Sequence, residues 1–150
     1  PVEVDALPAR PELAHVASRL EGASIDWLTP ARLTDIPAAL EADLFWMSQF
    51  LDCFSEDEAV SILTRTRDAM RPGARLAVLE PLVDEQRHRA AELSLAASSL
   101  YFTVLANGNS RFYNGADLRR IFARADFAIE SETPDLGVSH TLFILKPAEA

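Results

Sequence analysis

The stretch ADLFWMSQFLDCFSEDEAVSILTRTRDAMRPGARLAVLEPL (Ala42–Leu82) decides the fold. Its first nine residues, ADLFWMSQF (Ala42–Phe50), are mostly apolar, as in a strand of a sheet covered on both faces. Ser55 then opens a helix. Ser55 and Glu58 have the spacing of a capping box, in which each side chain satisfies a backbone N–H of the first turn. Ala59, Ile62, Leu63, Thr66, Ala69 and Met70 recur at helical spacing and form an inward stripe. Pro72-Gly73 stops the helix, and RLAVLEPL (Arg75–Leu82) is a second strand that reaches Glu80 just before Pro81.

The pattern continues outward. VEVDALP (Val2–Pro8) is a short strand ending at Asp5. Pro11 starts a helix carrying Leu13, Val16, Ala17 and Leu20, closed by Gly22. ASIDWL (Ala23–Leu28) alternates as a strand would, and Pro30 and Pro37 bracket a loop. After the second strand, a helical region from about Asp84 to Ala106 is expected in two pieces. NGNSRFYNG (Asn107–Gly115) is a polar loop, and Asp117–Ala125 is a short helix. Ala128–Thr133 and Thr141–Lys146 form a hairpin around PDLG (Pro134–Gly137). Alternating strands and helices closed by a hairpin predict an open, Rossmann-like α/β sheet, mostly parallel with an antiparallel end.

The composition, 49% hydrophobic and 25% charged over 150 residues, is that of one globular domain. A net charge of −9 argues against a nucleic-acid backbone and an anionic membrane as partners. The longest apolar run, LSLAASSLYFTVLA (Leu93–Ala106), is too short to span a bilayer. A single cysteine and no visible export signal are expected of a cytoplasmic protein. Three scattered histidines and Cys53 give no metal-ligand spacing.

In open α/β sheets, ligands sit beyond the carboxyl ends of the strands, and Asp5, Asp52 and Glu80 lie at such ends. Asp5 is placed to hold ribose hydroxyls or to be a solvated turn acid. Asp52 and Glu80 could form a carboxyl pair for proton transfer, or Asp52 could only favour the start of the following helix. Phe50, Tyr101, Phe102, Phe112 and Tyr113 could line a flat pocket or belong to the core. His140, at the entry to the last strand, is structural or pocket-lining. No GxG turn occurs, although a nucleotide-type cofactor usually needs one for close backbone approach.

Taken in order, these blocks resemble the C-terminal part of class I S-adenosylmethionine-dependent methyltransferases, specifically the small-molecule O-methyltransferase family of plants and bacteria. VEVDALP is similar to the family's second strand, whose acid holds the cofactor ribose; that acid is Asp5 here. The Ala42–Leu82 block resembles the family segment running from a strand through "LHdwsDe" to a second strand ending in Glu. NGNSRFYNGADLRRIFARADF resembles the block around the family's "eR". Within the family, FWMSQFLDCFS and the segment ending ANGNSR are similar to a bacterial subgroup associated with aryl polyene pigment clusters.

The resemblance implies S-adenosylmethionine as cofactor and a small aromatic hydroxyl compound as substrate. It places Asp52 where the family has its catalytic His, with Glu80 as a flanking acid. Ser48 falls where a cofactor-binding basic residue is common, and Ser110 replaces a second flanking acid beside the matching Arg111. Phe50, Tyr101, Phe102, Arg111, Phe112, Tyr113 and His140 are the expected substrate-binding set. It also implies that the family's helical dimerisation domain, first strand and glycine-rich loop are absent from these 150 residues. The central strands would then have bare edges, closed by pairing directly with each other, by a strand from another chain or by the missing segment itself; if these residues fold alone, an edge-paired or domain-swapped homo-oligomer is expected. Two other readings remain open: a non-catalytic methyltransferase-like interaction module, motivated by the lost His, and a dehydrogenase fragment, against which the central block argues.

Overall fold

The computed structural model describes residues 11–19, 22, 25–29, 40–105 and 108–149. The chain forms two compact units, Pro1–Ala31 and Arg32–Ala150. The expected strand Val2–Pro8, with Asp5, lies outside the described residues.

In the first unit, the expected helix from Pro11 is instead two short 3-10 turns, Pro11–Leu13 and Ala17–Arg19. The expected strand Ala23–Leu28 is also corrected. Its described part leads into a turn in which Asp26 Oδ1 accepts the Leu28 N–H at 3.0 Å and the Thr29 hydroxyl donates to the Asp26 carbonyl. An aspartate that binds the backbone two residues on competes with a sheet ladder.

The second unit holds the sheet. Its strands are β1 (Leu44–Ser48), β2 (Arg75–Pro81), β3 (Phe127–Leu136) and β4 (His140–Pro147), and its helices are α1 (Glu56–Ala69), α2 (Arg89–Leu105) and α3 (Gly115–Arg124). The strand order is β1-β2-β4-β3. β1 runs parallel to β2, with Ser48 opposite Leu79, and β4 is antiparallel to both β2 and β3. The α/β sheet and its antiparallel C-terminal hairpin are as expected from the sequence, but the mostly parallel sheet is corrected: among the described strands only β1 and β2 run parallel, because the closing hairpin adds two antiparallel pairings to them.

The local causes are visible. Ser55 Oγ accepts the Glu58 N–H while Glu58 Oε2 accepts from the Ser55 N–H at 2.8 Å, so the capping box forms. Ala59, Ile62, Leu63, Thr66 and Ala69 of α1 are buried, and Gly73 takes the positive φ (87°) needed to turn back into β2. Leu76, Ala77 and Val78 are buried in succession, so β2 is covered on both faces. β1 does not meet that expectation: Leu44 and Trp46 are more than half exposed, and among the described residues β1 pairs with β2 alone. On the hairpin side, Phe122 of α3 meets Phe143 of β4 edge-on at 5.2 Å.

Between β2 and α3 the expected two helical pieces are one helix, α2, beginning only at Arg89. Tertiary bonds hold the preceding residues out of the helix. Asp84 Oδ1 accepts the Gly115 N–H at 2.8 Å, and Gln86 Nε2 donates to the carbonyls of Leu82 and Ser139. None of the described residues of α2 is buried.

Candidate functional site

The carboxyl ends of β1 and β2 point the same way, and the chain leaving β1 folds over the end of β2. Gln49 adopts φ 46°, and a 3-10 turn, Leu51–Cys53, follows. This places Leu51 wholly in the core and leaves Asp52, the next residue, half-buried at its rim. The turn is held from below by Glu80. The N–H groups of Phe50 and Leu51 each donate to Glu80 Oε1 at 2.9 Å. Glu80 is only 1% exposed, and its Oε2 is buried with no hydrogen-bond partner among the described residues.

The same turn is tied to the loop before α3. The Arg111 N–H donates to the Asp52 carbonyl at 2.8 Å, and the Tyr113 hydroxyl donates to the Phe54 carbonyl at 2.8 Å. The Phe112 N–H donates to Ser99 Oγ of α2, and Thr103 Oγ1 donates to the Ser110 carbonyl. Between these elements lies a cavity of about 210 Å³ lined by Gln49, Asp52, Cys53, Phe102, Arg111 and Phe112, with Ser110 completing it. Phe102 and Phe112 meet edge-to-face at 5.8 Å and form its aromatic wall.

Electrostatics at the turn are dominated by burial. Burial, and then the charge of Asp52, push the Glu80 carboxyl up to about 8; the N–H groups at its oxygens oppose this. Burial also raises Asp52, while the Cys53 thiol, 3.5 Å from its Oδ1, and nearby His140 pull it back down. Burial and the adjacent Asp52 charge hold the Cys53 thiol up at about 11, so it is not an activated nucleophile. The arrangement is a carboxyl pair, one member walled in and one facing a cavity with an aromatic side.

The residues expected from sequence take different places, and Asp5 lies outside the described residues. Asp52, Phe102, Arg111 and Phe112 come together at the cavity. Glu80 stands behind Asp52, and Ser48 is exposed at the end of β1. Phe50 is half-buried against Phe54 at 5.1 Å, His140 opens β4 opposite Pro81, and Tyr101 is exposed outside the lining. Tyr113 is corrected: it is 2% exposed, with its ring in the core and its hydroxyl spent on Phe54. Sequence reading left both Gln49 and Cys53 out of the candidate site, yet both line the cavity. The polar break at Ser48-Gln49 in an apolar strand was the available signal for Gln49.

The strand order, the antiparallel closing hairpin and a cavity over the carboxyl strand ends define an open α/β sheet protein with a candidate site at its strand ends. The family model for the O-methyltransferase domain matches residues 26–128, and this chain belongs to that family. A 3-amino-4-hydroxybenzoate 4-O-methyltransferase from Streptomyces cremeus is 31% identical over 91 residues, which cover 61% of this chain and 24% of that protein. Among solved structures, mitomycin 7-O-methyltransferase superposes with a TM-score of 0.70 at 22% identity, covering 93% of this chain and 38% of that one. An O-methyltransferase from neocarzinostatin biosynthesis, in complex with S-adenosyl-L-homocysteine and 1,4-dihydroxy-2-naphthoic acid, superposes at 0.68 and 19% identity, covering 96% and 39%. The chain therefore spans about a quarter of the length of the curated relative and about two fifths of these structures.

Proposed function

We propose that this chain carries the acceptor side of an enzyme that moves a methyl group from S-adenosylmethionine to a hydroxyl of a small aromatic compound. One observation carries the reading: the turn that Glu80 grips through the Phe50 and Leu51 N–H groups sets Asp52 at the edge of a cavity walled by Phe102 and Phe112. About 210 Å³ suits a substituted ring and is smaller than the ~300–1,000 Å³ of a complete ligand pocket. A single ring and the reacting end of a donor are what this half of the site accommodates.

The cofactor supplies a methyl on a sulfonium; transfer forms an O–CH3 bond, leaves the thioether and releases the hydroxyl proton. The described residues nearest the donor side are neutral. Ser48 and Gln49 present a hydroxyl and an amide at the end of β1, which suit hydrogen bonding to the polar parts of such a molecule. Asp5 remains the proposed ribose ligand. Phe102 and Phe112 orient the ring, and Arg111, paired with Glu56 at 2.8 Å, holds the loop that carries Phe112. Asp52 takes the hydroxyl proton. Orientation of the ring supplies much of the acceleration, because a positioned acceptor needs no bimolecular encounter. A homo-oligomer in the cytoplasm and a bacterial pigment-type aromatic substrate belong to the same proposal.

The test is methyl transfer from labelled S-adenosylmethionine to a panel of hydroxybenzoates and dihydroxynaphthoates. It uses the chain together with any residues its gene encodes ahead of Pro1. Transfer that falls at least tenfold in Asp52→Asn is the expected result. Transfer unchanged by that substitution removes Asp52 as base. The replacement of the family His by Asp52 favours a second reading, a non-catalytic methyltransferase-like interaction module. That reading predicts self-association with no transfer.

A further inference from the structure

The acceptor-side chemistry leaves one group unused, the second oxygen of Glu80. Oε1 receives two backbone N–H groups at 2.9 Å, whereas Oε2 is sealed from solvent and meets no hydrogen-bond partner among the described residues. An ionised carboxylate carries charge on both oxygens and requires donors at each, so burying one with a bare oxygen is strongly unfavourable. A carboxylic acid places its acceptor oxygen where the N–H groups are and leaves only a neutral hydroxyl unpartnered, which costs less.

The surroundings favour the neutral form. Asp52 and Cys53 of the 3-10 turn and Tyr113 of the loop before α3 are the titratable groups whose charges reach Glu80, while His140 of β4 stands opposite the neighbouring Pro81. Arg111, the cation on that loop, is paired with Glu56. Among the described residues no Lys, Arg or His forms an ion pair with Glu80, and the nearby carboxylate of Asp52 repels a charge there.

We propose that Glu80 is a protonated, neutral side chain in the folded protein that grips the 3-10 turn through Oε1 and leaves Asp52 as the single negative charge of the pair. Glu80 is then a positioning residue. The acceptor proton passes from the hydroxyl oxygen to the Asp52 carboxylate, and the proton on Glu80 stays where it is. The pair goes from one negative charge to none, and the buried acid never holds a charge during the step. The inference deepens the reading of Asp52 as the base and rests on it for its role, but the protonation itself is measurable without turnover.

The experiment is carbon-13 NMR of the chain with labelled glutamate carboxyl groups, titrated from pH 5 to 9, with Glu80→Gln to assign the resonance. The expected result is one glutamate carboxyl that stays protonated through pH 6 and is missing from Glu80→Gln. In Asp52→Asn that resonance titrates at lower pH, because the like charge is gone; an unchanged titration would mean that the two carboxyl groups do not share one charge and would overturn the pairing. If every glutamate carboxyl titrates in the ordinary range near 4.5, the inference is overturned. If Glu80→Gln fails to fold, the wild-type and Asp52→Asn titrations still decide. Failure of methyl transfer in the panel above would remove Asp52 as base and leave this titration untouched, so the two failures are distinguishable.

Discussion

A proton held on Glu80 ties the stability of the fold to pH, and the size of the effect follows from the geometry. The ordinary glutamate value is 4.5, and in the folded chain burial and Asp52 lift it to about 8. Between those limits the folded state binds a proton that the unfolded state has lost, so stability falls as pH rises. The contribution is fully present below 4.5 and is gone above about 8. At ~1.4 kcal/mol per pH unit the interval sets a ceiling of about 5 kcal/mol, a third or more of the ~5–15 kcal/mol that stabilises an ordinary domain. The raised Asp52 acts in the same direction at the acid end of the window. Glu58 and Glu130 are lowered, by hydrogen bonds from Ser55 and Arg75 respectively, so their influence lies below 4.5 and does not mask the slope. Urea unfolding at pH 5, 6, 7 and 8 and constant ionic strength measures it. Wild type loses stability steadily across the series, and Glu80→Gln, which keeps the acceptor oxygen without the titration, has the flatter profile. A wild-type stability that is level or rising between pH 5.5 and 7.5, or an equal slope in Glu80→Gln, would refute the reasoning.

Two further substitutions test how the turn and its loop are held. Tyr113→Phe removes the hydroxyl that donates to the Phe54 carbonyl while keeping the buried ring; a loss of about 1 kcal/mol, or roughly 2–4 °C in Tm by calorimetry, is expected. No change would mean that the carbonyl finds another donor and the tether is unimportant. At Gly115 an added Cβ runs into Glu85 Oε1 and Arg119 Nη1, so Gly115→Ala disturbs the Glu85–Arg119 pair and costs about 0.5–1 kcal/mol. Glu85→Ala in the same chain relieves the clash, so the two substitutions together should cost less than their sum; strict additivity would contradict the crowding.

The centre of the fold was legible because local and tertiary preferences agree there. Ser55 and Glu58 cap the helix that their spacing announces, and the stripe from Ala59 to Ala69 is the buried one. Asp52 and Glu80 could be picked out as neighbours because both follow the carboxyl ends of adjacent strands. Legibility failed where distant atoms decide. Asp84 and Gln86 lie in a helix-compatible run, but Gly115 and Ser139 claim them and delay α2 to Arg89. The ten residues from Pro11 are too few for a helix to persist on propensity alone. Tyr113 and Phe112 are adjacent aromatics in one loop, and nothing local says that the first is core and the second a wall. Leu93–Leu105 has the uncharged composition of a buried helix, yet Leu100, Val104 and Leu105 are about two thirds exposed; the pattern reports an apolar surface and not what it meets. The sealed Oε2 of Glu80 is likewise invisible in sequence, because it depends on how a turn 29 residues earlier closes over it.

If Asp52 is the base, as proposed, a carboxylate in place of an imidazole also constrains the acceptor. A phenol such as that of tyrosine titrates near 10 and an ordinary aspartate near 4, so complete proton transfer between them is uphill by ~8 kcal/mol. Burial of Asp52 narrows that gap, but a neutral Glu80 withholds the extra push that a second buried charge would give. The acceptor must therefore contribute acidity of its own, as a phenol does when an electron-withdrawing group sits ortho or para to the hydroxyl. Across a series of ring-substituted phenols of similar size, kcat/KM should rise as the hydroxyl pKa falls, and it should level off once the pKa reaches the assay pH. The effect of Asp52→Asn should shrink along the same series, because an acceptor already ionised in solution has no proton to give up. Equal rates for strongly and weakly acidic phenols, with Asp52→Asn equally damaging to both, would mean that the proton leaves by another route. His140, whose charge also reaches Asp52, would then be the group to examine.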